Sequence, residues 1–348
     1  MVARVTLAHV ARLAGVSQTT ASFVLSGRRV EMRISPEVEA RVLRAVQETG
    51  YRPNVVSRSL RTGTTNTIGF ISDTVATTPF AGHLIWGALD AAREHDHLLV
   101  IAETEGDKQL EREAISMMHD RSVDGIILAS MSTRRVSPPT ALLDRPSVLL
   151  NGLPMRPGSL TSVVPDEVEA GRSAARVLVQ AGYRDGIFIV GAGTKPSETP
   201  RGALAAAERL VGIREVLEEA GTHLAGGVML TAWQPRDGYD ATRSLLDRTP
   251  EPEALVCFND RLSVGAYQAL EDAGRKVGED VSIVSFDDDP VASWLRPQLT
   301  SIALPHYELG KCAVEILLSG GGRERSGARV HRVPMPVRLR DSVRKPIT

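Results

Sequence analysis

VTLAHVARLAGVSQTTASFVLSG, residues 5–27, decides how this chain is built. Thr6 can cap a first helix whose Leu7, Val10, Ala11 and Ala14 fall on one face. Gly15 ends it. After a Gly-Val-Ser turn, Ser17 caps a second helix running from Gln18 to about Ser26, and Gly27 closes it. Further on, Ser35-Pro36 supplies an N-cap followed by proline at the first helical position. Val38, Val42 and Val46 then recur at four-residue spacing until Gly50 stops the third helix. Two short helices joined by a tight turn and braced by a third make the helix-turn-helix shape.

From Thr67 onward the pattern changes. Short apolar runs suited to buried strands occupy residues 67–72, 98–103, 125–130, 147–151, 186–191, 254–259 and 281–286. Helical patterns lie between them, at 83–95, 108–120, 170–181, 208–220 and 261–273. Strands spaced by helices imply doubly wound parallel sheets, and there are enough of them for two α/β lobes. Ligands of such sheets bind beyond the carboxyl ends of the strands. Asp73, Asn151, Asn259 and Asp287 sit at such ends. Residues 194–207, rich in Pro, Thr and Ala, suit a mobile insertion.

The chain has 348 residues, of which 42% are hydrophobic and 24% charged, which excludes a disordered or collagen-like protein. No apolar run approaches the roughly 18 residues a membrane-spanning helix needs, and no secretory signal is visible. Cys257 and Cys312 have no CxxC partner and read as thiols of a reducing cytoplasm. The charge is uneven. Residues 1–65 carry ten arginines, no lysine and four glutamates, a net +6, so a chain totalling −1 leaves −7 for the rest. A basic end on an acidic body suggests a polyanion-binding module joined to a part that binds something else.

Taken together, residues 5–27, GYRPNVVSRSLRTGTTNTIGF (50–70), FNDRLSVGAYQALEDAG (258–274), VSIVSFDDDP (281–290) and LTSI (299–302) resemble the LacI/GalR family of transcriptional regulators. The resemblance implies a headpiece at 1–50, a hinge helix at 51–65 and a two-lobed core of the periplasmic-binding-protein type at 66–348. The N-lobe is expected over about 66–164 and 303–328, and the C-lobe over about 165–299 and 330–348. It also implies a homodimer that binds a palindromic operator in double-stranded DNA, with a small-molecule effector between the lobes and no cofactor. With no heptad of leucines at the C-terminal end, a dimer rather than a tetramer is expected.

The first turn of the second helix suits the major groove. There Gln18 can pair with an adenine edge and Thr19 with either kind of base, while Ser17 and Ser22 suit phosphates. Thr6 belongs to the same DNA-facing set. Phe23 stands where the family often has arginine, and it can pack on a thymine methyl but not bond guanine. Tyr51, Asn54, Ser57 and Leu60 match the family's linker, with Leu60 at the minor-groove wedge and Arg58 and Arg61 near phosphates. A helix of barely two turns is marginal alone and can fold on DNA.

For the effector, the resemblance singles out Asp287, Arg209, Trp233 and Phe80, with Asp73, Asn151 and Asn259 as further hydrogen-bonding groups. Carboxylates, an arginine, amides and a flat ring suit a sugar or sugar derivative, while a nucleoside or purine fits the same set. His306 stands where one sugar-responsive member has an aromatic. An enzyme finds little support. No GxGxxG, GxxxxGK[ST] or GxSxG is present. Glu94-His95-Asp96-His97 reads as a solvated turn rather than a zinc site, and Asp287-Asp288-Asp289 as loop acids rather than a magnesium grip. The expectation is therefore a cytoplasmic repressor, with a transport receptor as the less favoured class.

Overall fold

The computed structural model describes residues 5–51, 63–78, 82–248, 251–322 and 328–344. The chain divides into two units, residues 1–65 and 66–348.

The first unit holds α1 (Leu7–Ala14), α2 (Gln18–Leu25) and α3 (Pro36–Thr49). The capping groups act as their chemistry requires. Thr6, Ser17 and Ser35 each accept a backbone N–H three residues on, from His9, Thr20 and Val38. Gly15 and Gly50 end α1 and α3 in the left-handed region, at φ 65° and 61°. Val10, Ala11, Ala14, Ala21, Val24, Val42 and Ala45 form one small core, with Leu7, Val46 and Tyr51 packed around it.

The second unit contains two six-stranded sheets. The N-lobe sheet uses β1 (Thr67–Ser72), β2 (Leu98–Glu103), β3 (Gly125–Val136), β4 (Ser147–Pro154) and β5 (Thr161–Pro165). The C-lobe sheet uses β6 (Ile187–Gly191), β7 (Gly226–Met229), β8 (Ala254–Cys257), β9 (Ser282–Asp287) and β10 (Thr300–Ala303). Two late strands, β11 (Val330–Val333) and β12 (Val337–Arg338), complete the orders β11-β5-β4-β3-β1-β2 and β12-β10-β9-β8-β6-β7. Every pairing between these strands is parallel except β10 with β12.

Alternation along the strands fills two layers. Ile68, Phe70, Ile127 and Ala129 face α4 (Gly82–Glu94) and α11 (His306–Leu318). Ile71, Ile126 and Leu128 face the opposite layer, where Ala114, Ile115 and Met118 come from α5 (Lys108–Asp120). Each fully buried Ile or Phe contributes about 1.5–3 kcal/mol over its exposed state. The C-lobe does the same between α6 (Glu167–Gln180), α7 (Leu204–Glu219), α8 (Pro235–Leu246) and α9 (Asp260–Asp272), with the short α10 (Pro290–Trp294) beyond β9.

Residues 330–333, expected in the C-lobe, pair instead with β5 in the N-lobe sheet. The reason is positional. α11 packs its Leu309, Ala313 and Leu317 on the N-lobe, so the chain leaving it meets the open edge of β5 first. Only at β12 does it return to the C-lobe sheet. The chain therefore crosses between lobes three times, after β5, after β10 and after β11.

Candidate functional site

The exposed face of α2 carries Gln18 and Thr19, both solvent-accessible at the helix start. Ser17 is occupied as the cap, its Oγ also 2.8 Å from the Thr20 hydroxyl. Ser22 is half-buried. Phe23 is half-buried with the Arg28 guanidinium 5.2 Å from its ring centre, and Arg28 is bidentate to Glu31 at 2.8 and 2.6 Å. A cation therefore stands beside Phe23 although the position itself carries none, which the helical pattern alone did not reveal. Thr6 and Tyr51 have local roles, as the α1 cap and as a side chain packed on the headpiece core. Asn54, Ser57 and Leu60, with the rest of the expected hinge at 52–62, lie outside the described residues. So does Phe80.

In the core, Arg209 of α7 is buried and donates through Nε and Nη2 to both oxygens of Glu167, at 2.6 and 3.2 Å. Its Nη1 donates to the Phe258 carbonyl at 2.6 Å, and the guanidinium lies 4.3 Å from the Phe286 ring centre. Burial favours a neutral Arg209, but Glu167 and Asp287 outweigh it and hold the group charged. Glu167, at the first turn of α6, is a partner the linear pattern could not supply, being 42 residues away. Two glycines make the meeting possible. A Cβ on Gly171 would fall 2.0 Å from the Arg209 carbonyl oxygen, and one on Gly212 1.9 Å from that of Val168. Only bare backbone lets α6 and α7 approach so closely.

Asp287 ends β9 at φ 109°. Its Oδ1 lies 3.9 Å from Arg209 Nη2, and no hydrogen bond reaches its carboxylate among the described residues. Burial pushes this carboxyl upward, Arg209 opposes that, and Glu167 pushes it further. Asp260 is fully buried, accepts from the Ser301 hydroxyl and the Asp289 N–H, and is likewise pushed up by burial. Asn259 is spent within the lobe. Its Oδ1 caps α9 through Leu262 N–H, and its Nδ2 donates to the Trp233 carbonyl. That bond fixes the backbone of Trp233, whose ring meets Phe258 edge-on at 6.0 Å. The indole Nε1 is buried and has no hydrogen-bond partner among the described residues.

On the N-lobe side, Asp73 is engaged by its own lobe. Oδ1 accepts from the Thr74 and Met131 N–H groups, and Oδ2 pairs with Arg134 at 2.8 Å. Asn151 is different. It is buried at φ 54°, and its Oδ1 has no partner among the described residues.

A cavity of about 740 Å³ spans the two lobes. One wall is residues 132–135, where β3 resumes pairing with β4 after a register shift. The other is residues 199–205 leading into α7, with Thr231 and Trp233. The segment expected as an insertion, 194–207, thus forms much of this wall. Of the effector residues named from the sequence, Trp233 lines this space. Asp73 reaches it through Arg134. Arg209 and Asp287 stand at 3.9 Å from each other in the C-lobe without lining it. The cavity is large enough for a mono- or disaccharide-sized molecule.

A capped helix-turn-helix unit and a two-lobed core with a cleft between parallel sheets define a class: a ligand-binding regulator. The family model for bacterial regulatory proteins of the lacI family matches residues 6–54. That for periplasmic binding proteins and the sugar binding domain of the LacI family matches residues 65–340. The chain belongs to the LacI family. The ribose operon repressor of Escherichia coli K12 is 32% identical, covering 90% of this chain and 92% of that protein. The HTH-type transcriptional repressor PurR of Photobacterium profundum is 28% identical, covering 97% of this chain and 98% of that protein. The structure of the transcriptional regulator CelR in complex with cellobiose superposes with a TM-score of 0.65 at 27% identity, covering 97% of this chain and all of that one.

Proposed function

We propose that this chain is a sequence-specific DNA-binding regulator of transcription, a repressor working as a homodimer, whose operator affinity is set by a small molecule bound between the core lobes. The reading treats it as a regulator, not a catalyst, that uses an effector and no cofactor. No described helix is long and apolar enough to cross a membrane.

One observation carries the proposal: the basic, capped headpiece and the inter-lobe cavity occur in one chain of this family. A ligand touching both walls of a cleft shifts the lobe equilibrium only by its differential affinity for the two arrangements. The expected hinge at 51–65 is the segment through which that difference would reach DNA. A sugar or sugar derivative is favoured by the ribose and cellobiose relatives and by the flat Trp233 ring beside hydroxyl-bearing Ser132, Thr199 and Thr231. A purine or nucleoside is the second reading, supported by the PurR relative and by the same ring.

The test is selection of bound duplexes from a random pool by the full chain, followed by binding at graded salt. A palindromic consensus whose affinity falls steeply with salt is expected. Gln18→Ala should lose the consensus preference before it loses weak non-specific binding. A chain that selects no sequence overturns the proposal.

A further inference from the structure

The charges of the cavity point one way. Arg134 and Arg135 line it from the N-lobe and Arg201 from the C-lobe, and among the described residues no Asp or Glu lines it. Arg134 is neutralised by Asp73 at 2.8 Å. Arg135 and Arg201 are exposed to the cavity and have no ion-pair partner among the described residues. One free guanidinium therefore stands on each wall.

We propose that the effector carries an anionic group, a phosphate ester or a carboxylate on a sugar-sized scaffold, held between Arg135 and Arg201. The inference rests on reading this cavity as the effector site. A neutral polyol is best held by carboxylates that accept its O–H groups, and this lining has none among the described residues. Guanidinium forks match oxyanions in geometry and charge. The same wall contains the start of α7, where the cap residue Ala203 offers no side-chain acceptor. The first-turn N–H groups of this 16-residue helix add positive potential to that of Arg201.

The arrangement also converts binding into a switch. Closing the cleft brings two like charges toward each other, which opposes closure in the free protein. An anion seated between them reverses the sign, so its affinity for the closed arrangement exceeds that for the open one. That is the differential affinity a switch requires. A neutral ligand leaves the repulsion in place.

The experiment is a thermal-shift and calorimetric comparison on the full chain with matched probes. These are glucose against glucose 6-phosphate and glucuronate, ribose against ribose 5-phosphate, and inorganic phosphate alone. At least one anionic sugar is expected to bind tenfold or more tightly than its neutral parent and than inorganic phosphate. A response to the phosphate esters or to glucuronate tells which oxyanion is used. Arg135→Gln and Arg201→Gln should each weaken that binding at least tenfold while leaving the unliganded melting temperature unchanged. Arg236→Gln, on the outer face of α8, should leave it intact. A neutral sugar that binds as tightly as its anionic partner, or a preference that survives both substitutions, overturns this inference and leaves the sugar-regulator reading standing. So does inorganic phosphate binding as tightly as the sugar phosphates. Failure of every probe, neutral and anionic, overturns the inference and the sugar reading together.

Discussion

Asp73 and Asp287 hold matching places, each at the carboxyl end of a parallel strand, one in either lobe. Their surroundings differ. Asp73 accepts two backbone N–H groups and an arginine, so its charge is spent on holding β1 to β3. The Asp287 carboxylate has Arg209 at 3.9 Å, the further influence of Arg261, and no hydrogen bond among the described residues. A strand-end carboxylate is thus either a brace or an available acceptor, and its hydrogen-bond inventory decides which. At the N-lobe strand ends the polar group left available is that of Asn151, whose Oδ1 has no partner among the described residues, rather than the aspartate.

The C-lobe side of this contrast breaks most severely at Arg209. Arg209→Leu strands the buried Glu167 carboxylate and should cost about 3–5 kcal/mol in urea unfolding of the full chain. Replacing both partners, with Glu167→Leu added, should recover most of the loss. A single substitution costing under about 1 kcal/mol would mean that Glu167 finds water.

The aspartates themselves give the sharper test. Asp73→Asn should cost about 1–3 kcal/mol of stability, because donors that faced a carboxylate are left mismatched. Asp287→Asn should move stability by no more than about 0.5 kcal/mol. The effector response, measured as release of bound operator, should survive this substitution, because Asp287 does not line the cavity; its loss would place the effector deeper, beside Arg209. Equal stability losses in the two variants would erase the distinction.

A third probe sits where the chain passes back from the C-lobe to the N-lobe. Burial, helped by His83, pushes the His306 imidazole down to about 4, and its Nδ1 is buried without a partner among the described residues. An unfolded histidine titrates near 6.5. Between these values the unfolded chain binds the proton and the native one does not. The stability is therefore whole above about 6.5 and falls as pH drops toward 4. In His306→Gln, chemical unfolding across this range should lose that slope. A slope unchanged by the substitution would assign it to other groups.

The smallest effect belongs to the headpiece. Ser17→Ala removes the α2 cap and should destabilise that unit by about 1 kcal/mol, visible as earlier loss of helical circular dichroism. The core transition should not move.

Much of the fold was legible because its signals are local. Thr6, Ser17, Ser35-Pro36, Gly15 and Gly50 mark helix ends through chemistry acting over three or four residues. Seven strands of the core, β1 to β4, β6, β8 and β9, are legible as apolar runs between helices, whereas the short β5, β7 and β10 are not. What was hidden depends on distance. Four residues at 330–333 carry no local mark of which sheet they join. Glu167 and Arg209 meet only because two helices cross at bare glycines, and nothing in either neighbourhood names the other. Asp287, Arg209 and Trp233 were legible as candidates. That Asn259 is consumed as a helix cap, and Asp73 by Arg134, is decided only in the folded chain. Arg135 and Arg201 carry no local signal, because an arginine at a strand end or in a Pro-rich loop looks like ordinary surface until both face one cavity.

The three crossings between lobes bear on how the protein is made. Synthesis proceeds from the N-terminus, and a contiguous unit can fold as it emerges. The headpiece is such a unit: among the described residues its core uses nothing beyond Tyr51. Neither lobe is. The N-lobe sheet lacks an edge strand until residue 333 has been made, and the C-lobe sheet until residue 338. A ribosome stalled at residue 320 would carry a finished DNA-reading module ahead of two sheets each missing an edge. In a cell the ability to contact DNA would thus precede the ability to be regulated, by the time needed to translate the final strands.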